Sequence, residues 1–224
     1  MEYFMPAFDI QTARFNMIEQ QIRPWNVLDS GVLALLASVR RDEFVPAAHK
    51  ALAYADLEVP LPGGQYMLAP RLEARLLQDA AVQKTDSVLE IGTGSGFLTA
   101  LLARRAARVL SLELSPELVA FAKSNLQKAG ITNVDVRQGD GSQGAAAQGP
   151  FDVIVLGGSV ADVPHKLLDQ LKIGGRLAAI VGDDPIMRAT IITRTSATDF
   201  RTSQPWDCDA PRLQNFAQVS RFTF

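Results

Sequence analysis

The chain has 224 residues, of which 47% are hydrophobic and 21% charged, and its formal net charge is −2. This composition is typical of one large globular domain with extensions, and excludes a disordered or fibrous chain. The charge balance and the lack of Lys/Arg runs argue against nucleic acid or an anionic membrane surface as a partner. No apolar run approaches the ~20 residues that cross a bilayer, and residues 1–10 lack the core of a signal peptide, so we expect a cytoplasmic protein.

Cysteine and histidine are too scarce for disulfide or metal chemistry. Cys208 is the single cysteine, which excludes an intramolecular disulfide, and its polar surroundings favour an incidental thiol. The two histidines, His49 and His165, lie far apart without a partner pattern. We therefore expect neither a metal site nor a histidine-based catalytic triad.

The N-terminal third is predicted to be helical, with helices over residues 12–22 and 29–39 that form a cap. Apolar residues recur at helical spacing at Leu28, Val32, Leu35, Leu36 and Val39. Prolines and glycines in residues 59–65 predict a loop without regular structure, which is well placed to cover a site. A further helix is predicted from Ala69-Pro70 to Gln78.

A strand, a glycine turn and a helix follow in the order typical of a ligand site. The apolar run Val88–Ile91 contains Glu90 and leads into Gly92-Thr93-Gly94-Ser95-Gly96, before helix formers from Leu98 to Arg105. Glycines allow a tight turn and let a ligand approach main-chain N–H groups near a helix N-terminus. The spacing differs from the G-x-G-x-x-G of dinucleotide enzymes. Such a turn also occurs as a plain connector.

Two carboxylates follow at the ends of the next strands. Glu113 ends a strand over residues 108–113, where a carboxylate can accept hydrogen bonds from ribose hydroxyls. Ser115 is expected to cap a helix that runs to about Lys128. Asp140 follows a strand over residues 134–137 and either accepts a hydrogen bond from an adenine amino group or only stabilises its own turn. The three signals together predict a nucleoside site.

The rest of the chain predicts more strands than helices. We expect strands over 151–156 and 174–181, a helix over 167–172, and closing antiparallel strands over 188–194 and 218–224. The predicted fold is therefore a doubly wound, mostly parallel α/β sheet with helices on both faces and an antiparallel C-terminal edge.

Several motifs also carry a family resemblance. The glycine turn resembles motif I of the class I S-adenosylmethionine-dependent methyltransferases. Over residues 14–182, in unbroken order, the chain resembles the protein-L-isoaspartate O-methyltransferase family. The motifs that carry this resemblance are Phe44-Val45-Pro46, Tyr54-Ala55-Asp56, Pro60-Leu61, Gly64-Gln65, Ala69-Pro70, Glu90–Gly96, Gly139-Asp140-Gly141, Pro150-Phe151-Asp152 and Leu171–Leu177.

The resemblance implies a Rossmann-like domain over residues 81–224 that binds S-adenosylmethionine without metal, and a cap with an acceptor-side loop over residues 1–80, in one compact unit. It implies an isoaspartyl protein or peptide as the methyl acceptor. The implied cofactor-binding residues are Glu90, Gly92, Thr93, Gly94, Ser95, Gly96, Glu113, Leu114, Asp140 and Gly141.

The acceptor loop departs from the family pattern, which typically reads Gly-Gln-Thr-Ile-Ser-x-Pro. Leu68 stands at the position of the serine that is taken as catalytic, and Tyr66 replaces the threonine. We therefore expect impaired isoaspartate repair, with Tyr66 as a candidate to return a hydroxyl. Two alternatives stay open: a methyltransferase with a different small-molecule or protein acceptor, and a non-catalytic cofactor-binding module. The oligomeric state and the role of the divergent tail stay open as well.

Overall fold

The protein, described over residues 9–218 by a computed structural model, begins with a helical cap. Helix α1 spans Ile10–Asn16 and continues as a π-helical segment, Met17–Ile22. Helix α2 spans Ser30–Ser38, and the side chain of Asp29 caps it by accepting the N–H of Val32 at 2.8 Å. Both helices agree with the sequence prediction.

Seven strands and four helices were predicted after the cap, and residues 9–218 contain nine strands. The strands are β1 (Val59–Leu61), β2 (Gln65–Met67), β3 (Ser87–Ile91), β4 (Arg108–Glu113), β5 (Val134–Gln138), β6 (Phe151–Val160), β7 (Leu171–Asp183), β8 (Ile186–Arg194) and β9 (Phe200–Cys208). The helices are α3 (Pro70–Ala80), α4 (Phe97–Arg105), α5 (Pro116–Lys128) and α6 (His165–Leu168). Short 3₁₀ turns are Arg23–Trp25, Arg41–Glu43, Ala47–Leu52, Pro62–Gly64, Gly141–Gln143 and Ala146–Gln148.

Strands β3 to β9 form a seven-stranded sheet in the order β5-β4-β3-β6-β7-β8-β9. The pairs from β5 to β7 are parallel, whereas β7–β8 and β8–β9 are antiparallel. The chain passes outward from β3 to β5 and then returns to the other side of β3 at β6. The topological switch point therefore lies between β3 and β6, where ligands bind in doubly wound folds. The fold class is confirmed.

The sheet is buried on both faces, and successive residues of β3 show why. Val88 packs into one hydrophobic core with α3, α4, α5 and the N-terminal helices, while Leu89 packs into a second core that includes α6. Alternating side chains of a strand point to opposite faces, so a strand covered on both sides is apolar throughout. Because the cap and the sheet share the first core, the boundary near residue 80 stays a prediction. None of the helices in residues 9–218 is long and apolar enough to cross a membrane.

Residues 59–65 are not the irregular loop that the sequence predicts. Strands β1 and β2 pair as an antiparallel hairpin, with Val59 opposite Met67. Gly63 and Gly64 both have φ of 70° and turn the chain between the strands. Proline has no backbone N–H to donate to a neighbouring strand. Pro60 is tolerated because β1 pairs with β2 along one edge, and N–H groups on the other edge need no partner strand.

The predictions for the C-terminal third are partly wrong. The helix predicted over residues 167–172 is only α6, and Leu171 already pairs with Phe151 in β7. The register then shifts around Gly174-Gly175, so the strand begins earlier than the glycine pair suggests. The predicted closing strand over 218–224 falls almost wholly outside the described residues. Strand β9 closes the described sheet instead.

Candidate active site

A cavity of about 280 Å³ opens at the carboxyl ends of β3, β4, β5 and β6. Its floor comes from the ends of these strands, and the β1–β2 hairpin and residues 211–216 form walls. The volume is near the lower end of the range for small-molecule sites, about 300–1,000 Å³. The cavity lies at the switch point of the sheet, where the fold predicts a ligand.

The glycine turn places its main chain against this cavity. Gly92 has φ of 90° and Gly94 has φ of 54°, and both line the cavity together with Ser95. Gly96 ends the turn before α4 and does not line the cavity. It faces α5 instead, since a Cβ on Gly96 would lie 3.3 Å from Ala122 and Leu126. Gly96 therefore allows close packing of the two helices.

Glu113 is fixed at the end of β4 with its carboxylate beside the turn. Its Oε2 accepts the N–H of Gly94 at 2.9 Å, and its Oε1 accepts the N–H of Ser115 at 3.0 Å. None of the ion pairs found in residues 9–218 involves Glu113. Each carboxylate oxygen keeps acceptor capacity toward the cavity. This geometry suits the recognition of a pair of hydroxyls.

Asp140 makes its own turn and also lines the cavity. Its Oδ1 accepts the N–H of Ser142 at 2.9 Å, and its Oδ2 accepts the side-chain N–H of Asn215 at 3.3 Å. Although partial burial opposes the shift, these hydrogen bonds hold the pKa of Asp140 below its usual value. Gly141 follows directly, and a Cβ there would collide with Ile91 at 2.2 Å. Asp140 can therefore stabilise its own turn and still face a ligand in the cavity, so the two interpretations of this residue are compatible.

Leu114 lies beside Glu113 on the cavity wall with 37% of its surface exposed. An exposed leucine at such a position offers an apolar surface to a flat ring. Its contact with a nucleoside stays a prediction.

Glu90 lies behind the turn and is not among the cavity residues. It is fully buried, and its Oε2 accepts hydrogen bonds from Thr99 at 2.5 Å and from Ser111 at 2.6 Å. Ser111 also contacts the hydroxyl of Thr93 at 2.6 Å, so Thr93 belongs to the same buried network. Burial raises the pKa of Glu90 to about 8. Glu90 therefore supports the turn from below, and its burial favours the neutral form of the carboxyl group.

The acceptor side of the cavity is formed by the β1–β2 hairpin and the residues after it. Tyr66, Met67 and Leu68 all line the cavity. Tyr66 is 48% exposed, whereas Leu68 is only 3% exposed. The carbonyl oxygen of Leu68 accepts a hydrogen bond from the guanidinium of Arg41 at 2.7 Å. The loop is therefore held by its main chain.

Arg41 and Glu73 form a buried ion pair beneath this loop that sequence reasoning missed. Arg41 is fully buried, and its guanidinium lies 4.9 Å from the ring centroid of Phe97, the first residue of α4. Glu73 of α3 lines the cavity, and burial raises its pKa above the ordinary value although Arg41 opposes the shift. The two residues are 32 positions apart, and single-sequence patterns contain no signal for such a pair.

Residues 211–216 are the second part of the site that the sequence did not predict. Leu213 lies over the glycine turn, since a Cβ on Gly92 would meet its side chain at 2.7 Å.

In residues 9–218 no three His, Cys, Asp or Glu side chains converge in a way that would hold a metal ion. Burial raises the pKa of Cys208 to about 11, so its thiol is un-ionised near neutral pH.

The family described as protein-L-isoaspartate(D-aspartate) O-methyltransferase matches residues 12–204. The chain belongs to this family. A family member from Koribacter versatilis, named protein-L-isoaspartate O-methyltransferase, is 41% identical over 204 residues, which cover 91% of this chain and 90% of that protein. A protein of the same name from Methanoculleus marisnigri is 40% identical over 178 residues, covering 80% of this chain and 81% of that one.

Solved structures of the family share the fold. A crystal structure from Plasmodium falciparum, named a protein-L-isoaspartate O-methyltransferase in complex with S-adenosyl-L-homocysteine, has a TM-score of 0.78 and 21% identity, and covers 93% of this chain and 99% of that one. A second structure of that name has a TM-score of 0.77 and 24% identity, with 92% and 66% coverage. The family match ends at residue 204, so the cavity wall at 211–216 lies beyond it.

Proposed function

We propose that this protein transfers a methyl group from S-adenosylmethionine to isoaspartyl carboxylates of proteins or peptides. The observation that carries the proposal is a single cavity that brings together the glycine turn, Glu113, Asp140 and the acceptor loop, in a chain of this family. The predicted cytoplasmic location belongs to the same proposal.

The residues present fit the cofactor along the length of the cavity. The main chain of Gly92, Gly94 and Ser95 would hold the methionine portion, because the two glycines carry no side chain and their positive φ angles turn the backbone tightly at the cavity. Glu113 would accept the ribose hydroxyls with a carboxylate already oriented by two N–H donors.

The adenine end of the cavity is formed by Leu114, Asp140 and Gly141. Leu114 would pack against the ring, and Asp140 would accept from the amino group. Glu90, Thr93 and Gly96 would act behind this surface by fixing the turn and the start of α4.

The chemistry demands alignment more than acid–base work from the protein. When bound, S-adenosylmethionine supplies an electrophilic methyl group on a sulfonium. An isoaspartyl carboxylate is already ionised near neutral pH, so no general base is needed. The hairpin and the glycine turn would orient the carboxylate and exclude water between them.

The acceptor loop lacks the serine hydroxyl, and this sets the expected rate. One hydrogen bond to the acceptor is worth about 1–3 kcal/mol, which corresponds to a slowing of roughly tenfold to a hundredfold rather than abolition. Tyr66 lines the same cavity, is about half exposed and carries a hydroxyl. We therefore propose that repair activity is present but weak.

A second candidate function keeps the cofactor and changes the acceptor. The observation that favours it is the wall of Tyr66, Met67 and Leu68, which is mostly apolar and contains no serine or threonine hydroxyl. Such a wall suits an acceptor whose reactive group is attached to an apolar body.

Incubation with methyl-labelled cofactor and a matched pair of peptides tests both candidates. The peptides differ only in carrying isoaspartate or aspartate at one position. Label on the isoaspartyl peptide alone supports the first function. Cofactor binding without label on either peptide contradicts it, and leaves a different acceptor or a non-catalytic module.

A further inference from the structure

Glu73 of α3 brings a carboxyl group to the acceptor side of the cavity. It lines the cavity together with Tyr66, Met67 and Leu68, although only 4% of its surface is exposed. Burying a carboxyl group is costly unless it has partners, so its place beside the proposed acceptor calls for a chemical reason. The proposed function so far leaves this group without a role.

Arg41 joins Glu73 to the acceptor loop. One terminal nitrogen of its guanidinium donates to Glu73 Oε2, and the other donates to the carbonyl oxygen of Leu68 at 2.7 Å. Glu73 Oε1 has no hydrogen-bond partner in residues 9–218, yet it is not one of the fully buried atoms that lack a partner. Oε1 is therefore the oxygen that faces the cavity. The guanidinium that fixes it also holds the residue at which the hydroxyl is missing.

The surroundings of Glu73 set its charge. Burial raises the pKa of its carboxyl group to about 7, and Arg41 opposes the rise. Glu90 of β3 is a second titratable neighbour, since its own pKa is raised in part by Glu73. Helix α2, which packs on α3, contains no charged residue. Charged residues on the other elements packed against α3 pair elsewhere, as Glu19 with Arg23, Arg105 with Asp29, Asp152 with Lys172, Arg176 with Asp86 and Arg188 with Asp207.

An isoaspartyl carboxylate that enters this cavity adds a second negative charge beside Glu73. Two carboxylates in a site that excludes water do not both stay ionised, and the pair then shares one proton. The free carboxyl of an isoaspartyl residue is an α-carboxyl, with an ordinary pKa of about 3.3–3.7, so the proton resides on Glu73. Neutral Glu73 has an O–H to donate, whereas the side chain of Leu68 has no donor.

We propose that Glu73 takes up a proton when the acceptor carboxylate binds and donates it in a hydrogen bond to that carboxylate, in place of the hydroxyl absent at position 68. This inference rests on the proposed function for the identity of the acceptor. Methyl transfer itself moves no proton. A C–O bond forms as a C–S bond breaks, and the negative charge of the acceptor and the positive charge of the sulfonium disappear together. The neutral ester no longer repels a carboxylate, so Glu73 returns its proton to water and pairs with Arg41 again.

Proton uptake on binding tests the inference directly. An isoaspartyl peptide without other titratable groups is titrated into protein saturated with S-adenosylhomocysteine, which has no sulfonium charge. Binding heats at about pH 8 in buffers of different ionisation enthalpy give the number of protons taken up, and we expect about one. The control peptide carries a carboxamide in place of the free α-carboxyl. It brings no negative charge and should bind without proton uptake.

The affinity for the isoaspartyl peptide should depend on pH with a defined sign. Below the pKa of Glu73 the proton is already bound, so Kd is constant, and above it Kd should rise roughly tenfold between pH 7 and about 8.5. Glu73→Gln has a side-chain N–H that can donate at every pH. Its Kd should therefore stay within about twofold over this range, with no proton uptake.

A pair of double variants isolates the donated hydrogen bond. Arg41→Met/Glu73→Gln and Arg41→Met/Glu73→Met both lack the buried charges and differ only in the side-chain amide. The variant with the amide should bind the isoaspartyl peptide about tenfold more tightly, because a hydrogen bond to a charged group contributes about 1.5–3 kcal/mol. Neither Kd should change with pH over the same range.

Two single variants serve as controls. Glu117, like Glu73, lies in the first turn of a helix that begins with proline, but it is exposed and does not line the cavity. Glu117→Gln should leave both Kd and proton uptake unchanged. Tyr66→Phe removes the other candidate hydroxyl and should leave the proton uptake unchanged. Thermal unfolding shows which variants are folded, and if Glu73→Gln is not, proton uptake by the wild type and by Tyr66→Phe decides.

The outcomes separate this inference from the proposed function. Methylation of the isoaspartyl peptide without proton uptake on binding would overturn the inference and leave the proposed function intact. Uptake that persists in folded Glu73→Gln, or that is lost in Tyr66→Phe, would do the same. Uptake by a protein that transfers no methyl group to the peptide would support the inference and refute the proposed function. A protein that binds no isoaspartyl peptide between about pH 6 and 9 refutes both.

Discussion

Replacing Arg41 by methionine should destabilise the protein more than any surface change, because it leaves a buried carboxylate without its partner. Arg41 is fully buried and forms an ion pair with Glu73, which is 4% exposed. It also donates to the carbonyl of Leu68 at 2.7 Å. Methionine fills much of the same volume, so the variant mainly removes the charge and the hydrogen bonds.

The expected cost follows from the burial of Glu73. Removing one partner of a buried ion pair costs about 3–5 kcal/mol, which is a large part of a total stability of roughly 5–15 kcal/mol. Arg41→Met/Glu73→Met removes both charges and should recover most of that loss, since an apolar pair in place of a buried ion pair is often neutral. The matched control is Arg188→Met: Arg188 pairs with Asp207 at 3.0 Å with both side chains at least half exposed, and should cost under ~1 kcal/mol.

Urea unfolding of the four proteins at several pH values measures these differences. Burial already raises the pKa of Glu73, and loss of Arg41 removes an opposing effect, so the pKa rises further. A raised pKa in the folded state costs stability only above the ordinary glutamate pKa of 4.5, so the penalty of Arg41→Met should shrink as the pH falls toward 5. A penalty under ~1 kcal/mol at pH 7, or a double variant as unstable as the single one, would refute this reasoning.

Three further predictions concern the site. Wild-type turnover on isoaspartyl peptides should be weak, and Leu68→Ser should raise it by about tenfold if the missing hydroxyl limits the rate; turnover equal to that of an ordinary repair enzyme assayed alongside would contradict this. Glu113→Ala should raise the Kd of S-adenosylmethionine roughly tenfold or more, because charge-assisted hydrogen bonds contribute about 1.5–3 kcal/mol, and an unchanged Kd in a folded variant would favour a purely structural Glu113. Glu90, with its pKa raised to about 8, binds a proton in the folded state that the unfolded chain releases above about 4.5, so wild-type stability should fall as the pH rises between these values. Glu90→Gln should lack this slope of about 1 kcal/mol per pH unit, and parallel stability curves for the two proteins would show that Glu90 is ionised when folded.

The cofactor side of the site could be predicted from the sequence because it is built from strand ends. Gly92, Glu113 and Asp140 each follow a different strand, and those strands turn out to be parallel neighbours or nearly so. The carboxyl ends of parallel strands lie at one edge, so local patterns suffice to bring the three residues together. The ligand-binding roles of Gly92, Glu113 and Asp140 stay predictions.

The remaining parts of the site depend on contacts between distant residues. Glu73 and residues 211–216 leave no periodic pattern, because their positions are set by partners far along the chain. Strand β9 was missed for a different reason. It is the last strand of the described sheet, mostly exposed, and contains Pro205, so it shows neither apolar alternation nor the usual strand residues.

The way the acceptor loop is held explains how it can vary without loss of the fold. Arg41 binds the carbonyl of Leu68, an atom that every residue type provides, and the β1–β2 hairpin fixes the preceding residues through main-chain pairing. A serine, a leucine or another residue at position 68 would therefore meet the same support from below. Side-chain identity on the cavity side is then free to change with the acceptor. By this argument, Leu68→Ser should alter turnover and keep the fold, but it should lower the free energy of unfolding by about 2–4 kcal/mol, because the leucine side chain is only 3% exposed and its apolar burial is lost.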